Sequence, residues 1–322
     1  MIEATGIIYL LQVNESAFSV RSGIISPNQL EVFYFSHDND FGGRETFFRA
    51  TRNSVDDEFP AGPKLEAASL APWGSGCYHS PQWISPDGLR LYYTFEVRDR
   101  KGTAHGSGDR RLFMIERPGI DEPFGTPSDA CFAALNEHKI ETATLSANEL
   151  ELFFSSDRPG GQGALDVWYA SRGNTDEPFS NPINVRSINT PEIETAPRLF
   201  QDTLLFSRGS ESNLDIFMTS RNLKQRTKRE NAIAPPVFGE PTAVAELNTI
   251  SHEEITWISA DELSVCLGSR RLCPIQKQFS MLYAQRNSVN EPFSEPDPFI
   301  FSKINASEYH TNRAVLSSDQ LE

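Results

Sequence analysis

An internal repeat constrains this chain more than any other feature of its sequence. An apolar residue followed by Asn recurs along the chain, and the interval from Asn14 to Asn305 is 291 residues. If one degenerate copy lies near Leu65 to Leu70, five units of about 58 residues fill that interval. The dipeptide occurs at 13–14, 135–136, 188–189, 247–248 and 304–305.

A second landmark follows each Asn and predicts a tight turn between two strands. It has an apolar residue, Ser, any residue, and Asn or Asp, and only a degenerate LFQD at 199–202 stands in the fourth unit. The clear copies are ISPN (25–28), ISPDG (84–88), LSAN (145–148), ISAD (258–261) and LSSD (316–319).

Each unit reads as four short strands, A to D, rich in β-branched and aromatic residues and separated by Gly, Pro, Asp and Asn. No segment keeps a helical period of 3.6 residues. A sheet of four short strands cannot bury both faces alone, so the units must pack against one another. The sequence therefore predicts an all-β fold, a β-propeller of four-stranded antiparallel blades, and the 22 Phe suit the packing between blades.

These motifs resemble the WD40-like propeller repeat of the TolB type. The similarity is greatest in residues 145–197, where SSDRPGG separates two strands and EPF precedes the next turn. The resemblance implies six blades, of which five complete repeats occupy 15–305. Residues 1–14 and 306–322 then supply the last and first strands of an incomplete closing blade within one domain. Closure by five blades is the alternative.

Charge and hydropathy exclude several classes of protein. The 44 acidic and 29 basic side chains give a net charge of −15, which argues against nucleic acid as a partner. No apolar run approaches the length of a membrane span, about 20 residues, so no membrane insertion is expected. The chain as it stands indicates the cytoplasm, and a missing upstream export signal would indicate the periplasm or the extracellular space.

Ligands are expected where the D-to-A and B-to-C connections surround the mouth of the propeller channel. Counting five residues back from the Ser of each turn gives Arg21, Ser80, Glu141, Glu194, Glu254 and Asn312. All six histidines are predicted on the same face. His79, His138, His252 and His310 fall in D-to-A connections, and His37 and His105 in B-to-C loops.

Other repeated or Gly-rich segments are more typical of structural roles than of catalytic or binding roles. An Arg closes strand C in every unit and predicts contacts to turns or neighbouring blades; it occurs at Arg52, Arg117, Arg172, Arg221 and Arg286. The loop at 155–168 suits a glycine-rich turn in which Asp157 bonds backbone amides. Residues 96–111 form the longest predicted B-to-C loop, and the sequence supports a specificity loop and a surface insertion equally.

Two functions remain open. The first is a non-catalytic TolB-like propeller that binds a protein or peptide, favoured by the acidic charge if the partner has a basic segment. The alternative is a carbohydrate-active hydrolase or lyase with Glu141, Glu194 and Glu254 as candidate carboxylates. No cofactor is indicated, although histidines and carboxylates would suit a divalent cation at the channel.

Overall fold

The structure is a computed structural model. It describes residues 19–26, 28, 30–38, 44–54, 79–98, 104–221, 236–259, 261–271 and 280–297. These residues form an all-β fold, as predicted, with one short 3-10 helix at Ala130–Phe132. No helix among them has the length and apolar character needed to cross a membrane.

Five antiparallel sheets follow one another along the chain, and strands that are consecutive in sequence are paired in space. The first two sheets contain β1 (Ser19–Ile25), β2 (Glu31–Asp38) and β3 (Arg44–Thr51), then β4 (His79–Ile84), β5 (Arg90–Arg98) and β6 (Ala104–Glu116). The third contains β7 (Thr142–Leu145), β8 (Glu151–Ser156), β9 (Asp166–Ser171) and β10 (Ile183–Asn184). The last two contain β11 (Ile193–Phe200), β12 (Thr203–Ser210), β13 (Asn213–Ser220) and β14 (Thr242–Ala243), then β15 (Glu253–Ile258), β16 (Ser264–Ser269) and β17 (Ser280–Gln285).

The sheets are the blades of a β-propeller. The first strands of successive blades, β1, β4, β7, β11 and β15, contact one another in chain order and form the innermost layer. Four apolar clusters fill the spaces between consecutive blades, one in each of the four gaps. The segments predicted to form the closing blade, 1–14 and 306–322, lie outside the described residues, so the number of blades stays a prediction.

The Ser-x-Asn/Asp landmark is the turn between strands A and B. In the second blade Ser85 Oγ donates to Asp87 at 2.5 Å, and the amides of Leu89 and Arg90 donate to Asp87 and Ser85. The same three bonds recur in the first, third and fifth blades. Two side chains therefore satisfy the turn's backbone amides. The fourth blade uses a tighter turn, in which Phe200 pairs with Thr203.

The apolar–Asn landmark joins the end of one blade to strand C of that blade. Asn189 accepts from the amide of Val167 at 2.9 Å and donates to the carbonyl of the same residue at 2.8 Å. Asn136 and Asn248 bond Leu112 and Ile216 in the same way. The Asn side chain thus continues the ladder where strand D has ended, which explains its recurrence.

The recurrent Arg makes turn and inter-blade contacts, as predicted. Arg172 donates from Nε to the carbonyl of Glu149 at 2.9 Å, and its guanidinium lies 4.5 Å from the ring centre of Phe179. Arg117 and Arg286 repeat this arrangement. Arg117 also forms a buried ion pair with Glu31 of the preceding blade.

The predicted loop at 96–111 is mostly an extension of the β5–β6 hairpin. Strand β5 continues to Arg98 and β6 begins at Ala104, with Val97 paired to Asp109. The loop prediction was wrong because the polar and Gly-rich residues at 96–98 and 104–111 belong to paired strands. For the same reason His37 and His105 lie within β2 and β6 instead of in loops.

Candidate functional site: the channel mouth

The mouth face is defined here as the end of the ring that carries the D-to-A and B-to-C connections, including 136–141 and 157–165. The predicted carboxylate Glu194 lies at this end and is completely buried. Its Oε1 accepts from Arg208 Nε at 3.0 Å and from the Thr190 hydroxyl at 2.5 Å. Burial raises the pKa of the Glu194 carboxyl, and the bonds to Thr190 and Arg208 oppose that rise. This carboxylate anchors the start of a strand.

Glu141 is held by cations from two directions. It is bonded to Arg110 of the preceding blade, and Lys139 Nζ lies 2.8 Å from its Oε2. The Glu141 side chain is 20% exposed, so solvent reaches this pair while Glu194 is sealed. The two carboxylates therefore occupy equivalent places in successive blades but have different partners.

The sequence predicts that Glu254 is equivalent to Glu141 and Glu194, and the strand pairing shows that this prediction was wrong. The residue equivalent to Glu194 is Glu253, because Glu253 is also bonded to a Thr four residues earlier and to an Arg of the same blade. Counting five residues back from Ser259 gives Glu254, which is one position too late. A bulge between Ile255 and Trp257 inserts one residue into β15, and a slip of one residue moves a side chain to the other face of a strand.

Glu254 instead occupies a position that carries a hydroxyl in other blades. Thr142 pairs with Ser155 and Thr195 with Ser207, whereas Glu254 pairs with Gly268. The second blade has Ser80 paired with Thr94.

These hydroxyls connect the innermost strands across blade boundaries. Thr142 Oγ1 is 2.7 Å from Ser155 Oγ, which is 3.3 Å from Thr195 Oγ1. The amide of Ala196 donates to Thr142 Oγ1 at 3.1 Å, and the amide of Ile255 donates to Ser207 Oγ at 3.1 Å. Buried hydroxyl contacts therefore link the inner layer from the third blade to the fourth and from the fourth to the fifth, where Glu254 is half-buried.

The connection before β15 brings further groups to the mouth face. His252 is buried, and burial lowers the pKa of its imidazole; Glu254 opposes this shift and Arg270 adds to it. Arg270 donates its amide to the carbonyl of His252 at 3.0 Å. Ile250, two residues before His252, is 99% exposed. A histidine, a carboxylate, a guanidinium and an apolar side chain are thus gathered at one part of the rim.

The structure describes less of the other predicted site residues. His138 is exposed in the connection before β7. Arg21 and His79 lie in β1 and β4, and their side chains are outside the described part of the structure, as is the whole of His310. His79 is the second-blade equivalent of Glu141, because it pairs with Phe95 one position before Ser80.

The glycine-rich loop at 155–168 is a turn, as predicted, but Asp166 organises it and not Asp157. Asp166 accepts from the amide of Gln162 at 2.5 Å and of Gly163 at 3.0 Å, and Asn184 donates to it at 3.0 Å. Asp166 is the first residue of strand C and is buried beside these amides, whereas Asp157 is exposed. Asp166 is buried and accepts these three hydrogen bonds, which indicates a structural role.

A metal centre finds no support in the described residues, where no three His, Cys, Asp or Glu side chains are grouped as metal ligands. The predicted divalent cation therefore remains an untested expectation. The chemistry that the mouth face offers is ion pairing and hydrogen bonding by Glu254, His252 and Arg270.

Comparison with known proteins identifies the fold. No protein-family model and no curated protein sequence matches the chain. A thermostable family-43 glycoside hydrolase is 11% identical over 88% of this chain and 96% of its own, with a TM-score of 0.51.

Two peptidases were also found, with lower scores. A prolyl endopeptidase is 12% identical over 92% of this chain and 38% of its own, with a TM-score of 0.43. A puromycin-hydrolysing peptidase of Mycobacterium tuberculosis is 11% identical over 98% and 50%, with a TM-score of 0.46. This chain thus spans half or less of the length of either peptidase. At 11% identity the likeness to the family-43 glycoside hydrolase concerns the fold alone.

Proposed function

We propose that the protein is a TolB-like, non-catalytic propeller that binds a basic peptide segment of a partner protein at its mouth face. The observation that carries this proposal is the replacement of a repeated inner-layer hydroxyl by Glu254, opposite Gly268. Gly268 leaves room where other blades have Ser or Thr. A half-buried carboxylate in that place is a suitable acceptor for a lysine ammonium or an arginine guanidinium.

The surroundings of Glu254 fit a basic and partly apolar ligand. The net charge of −15 attracts cationic segments over a long range and raises their association rate. Ile250 offers an exposed apolar contact on the same connection. The buried imidazole of His252 lies close enough to Glu254 for their charges to interact. The ligand class is therefore a short Lys- or Arg-containing segment with a neighbouring apolar side chain.

The pairing of the other carboxylates supports binding over catalysis. A general acid or base must exchange a proton with substrate, and a nucleophile must reach it. Glu194 is completely buried and bonded to Arg208 and Thr190, so it is poorly placed for either task. Glu141 is bonded to Arg110 and Lys139, which hold its side chain in place as a structural anchor.

The test measures the affinity of the full chain for an array of Lys- and Arg-containing peptides by fluorescence polarisation. We expect Glu254→Gln to weaken the best peptide at least about tenfold, because one charge-assisted hydrogen bond is lost. The matched control is Glu177→Gln, an exposed carboxylate in a C-to-D connection on the opposite face. Unchanged affinity in Glu254→Gln, or equal loss in both variants, would contradict the proposal.

A carbohydrate-active hydrolase is the second candidate. This candidate is suggested by the family-43 glycoside hydrolase, which has the same fold. Such a hydrolase needs two carboxyl groups about 5–5.5 Å or 6.5–9.5 Å apart. Because Glu194 is sealed, Glu254 and Glu141 are the candidates that retain solvent contact.

A panel of polysaccharides and aryl glycosides separates the two candidates. Turnover by the wild-type chain that falls at least about a hundredfold in both Glu254→Gln and Glu141→Gln would establish hydrolysis. Glu177→Gln again serves as the control. Turnover that survives all of these changes would remove Glu254 and Glu141 from a catalytic role, and absence of turnover with retained peptide affinity would leave binding as the function.

A further inference from the structure

Arg158 of the third blade and Arg271 of the fifth have almost the same hydrogen bonds. Arg158 donates from its amide and Nε to Ser156 Oγ, at 3.3 and 3.0 Å, and from Nη2 to the carbonyl of Leu135. Arg271 bonds Ser269 Oγ and the carbonyl of Leu247 in the same way. Both arginines therefore follow strand B and bind the carbonyl that precedes the landmark Asn.

The two positions differ in one partner, a carboxylate. Arg271 Nη2 lies 3.3 Å from Glu253, and Ser269 also donates to Glu253 at 2.9 Å. The third-blade equivalent of Glu253 is Glu141, which is bonded to Arg110 and Lys139 instead. No described carboxylate forms an ion pair with Arg158.

Two buried donors in this part of the third blade have no partner among the described residues. Arg158 is 5% exposed, and its Nη1 has no hydrogen-bond acceptor within the described parts of the chain. The indole Nε1 of Trp168 is likewise buried and unpartnered, and the Trp168 ring centre lies 5.4 Å from Arg158 Cζ. The ring of Phe154 covers the guanidinium at 4.6 Å.

Unpaired buried donors are costly, and a buried cation without a counter-charge more so. Burial lowers the pKa of Arg158 to about 10, although Asp157 and Glu137 oppose the shift from a distance. The guanidinium is therefore still charged at neutral pH. It needs an acceptor that bears negative charge, as Glu253 does beside Arg271.

We infer that Arg158 and Trp168 form a binding site for a small monovalent anion, either chloride or a carboxylate of formate or acetate size. The anion accepts from Arg158 Nη1 and supplies the negative charge that Glu253 supplies to Arg271 in the fifth blade, and the unpartnered indole N–H is a second candidate donor. This site is separate from Glu254 and does not depend on the proposed function.

The test follows the melting temperature of the full chain while sodium chloride or sodium acetate is titrated at constant ionic strength, with sodium methanesulfonate as the balancing salt. We expect a rise of about 2 °C for each tenfold increase in anion above its dissociation constant. The salt that raises the melting temperature at the lower concentration contains the anion that the site prefers. A response to neither salt overturns the inference.

Three variants separate this site from general salt effects. Arg158→Met is expected to abolish the response, whereas Arg271→Met removes the same charge from the equivalent position and is expected to keep it. The double variant Arg110→Gln/Lys139→Gln removes two positive charges that contact Glu141 but leaves Arg158 and Trp168 unchanged, so the response is expected to persist. Equal responses in the wild type and all three variants would also overturn the inference.

A direct measurement covers the case in which Arg158→Met does not fold. Crystals of the wild type soaked in sodium bromide are expected to show an anomalous-scattering peak within hydrogen-bond distance of Arg158 Nη1. A peak elsewhere only, or ordinary water at that position in the presence of bromide, would contradict anion binding.

Discussion

Arg221 of the fourth blade and Glu151 of the third are joined across the blade boundary by two hydrogen bonds, of 3.0 and 2.9 Å. The side chains are 14% and 24% exposed, so the pair is largely removed from solvent. Two parallel bonds between a guanidinium and a carboxylate fix the orientation of both groups. This pair therefore links the two blades in a defined geometry and is expected to contribute to stability.

The first prediction concerns that pair. Arg221→Met is expected to lower the free energy of unfolding by about 1–3 kcal/mol, because Glu151 then keeps its charge without its main partner. Urea denaturation of Arg221→Met, Glu151→Gln and the double variant gives the coupling energy, expected at about 0.5 kcal/mol or more. The exposed Arg186→Met serves as the control. A coupling energy near zero would show that the two residues act independently.

The landmark Asn shows how far the sequence could predict this fold. The recurrence of apolar–Asn and Ser-x-Asn/Asp is visible without a structure because the same backbone groups need the same side-chain partners in each blade. Asn189 and Ser85 satisfy backbone groups within their own blades, so the repeat predicts the strands and turns around them. Four strands per unit and the all-β class followed from these local requirements.

Removing one landmark Asn is expected to weaken the connection between strand C and the segment that follows strand D. Asn189→Ala leaves the buried amide of Val167 without its acceptor, whereas the carbonyl of Val167 keeps the bond from the Val185 amide, so a loss of about 1–3 kcal/mol is expected. Thermal or urea denaturation measures it. The exposed Asn174→Ala is expected to change stability by less than about 0.5 kcal/mol. A loss in Asn189→Ala no larger than that of the control would refute this role.

The candidate site was predicted less well, because it depends on register and on contacts between distant residues. The bulge at Thr256 shifts the count, so Glu253, and not Glu254, is equivalent to Glu194. Nothing in the local sequence marks that extra residue. Equally, only the structure shows that Glu141 pairs with Arg110 and leaves Arg158 alone, since ion pairs within a repeat can be exchanged without altering its motifs.

The glycine-rich turn before β9 gives a third prediction. A Cβ atom at Gly163 would overlap the carbonyl oxygen of Glu192, which belongs to the backbone and has little freedom to move. Gly163→Ala is expected to cost about 1–3 kcal/mol. In the control, Gly119→Ala, the added Cβ would lie 3.6 Å from Glu122 Cγ, an ordinary contact. Equal stability of the two variants by urea denaturation would show that the turn adapts.

The last prediction is a pH dependence caused by His252. Burial lowers the pKa of its imidazole below the ordinary 6.5, so the folded state binds this proton less readily than the unfolded state. Stability is therefore expected to fall as pH decreases from about 6.5 toward the lowered pKa, and His252→Gln is expected to remove that part of the slope.

The neighbouring Glu254 changes the pH at which His252 titrates. Glu254 favours the protonated imidazole, whereas Arg270 disfavours it. Glu254→Gln is therefore expected to lower the pKa of His252 further and to extend the loss of stability to lower pH. Urea denaturation at several pH values between 4.5 and about 7.5 brackets the window, chosen around the ordinary histidine pKa. If wild type and His252→Gln have parallel stability curves across it, the imidazole titrates alike in both states and is not buried beside Glu254 as described.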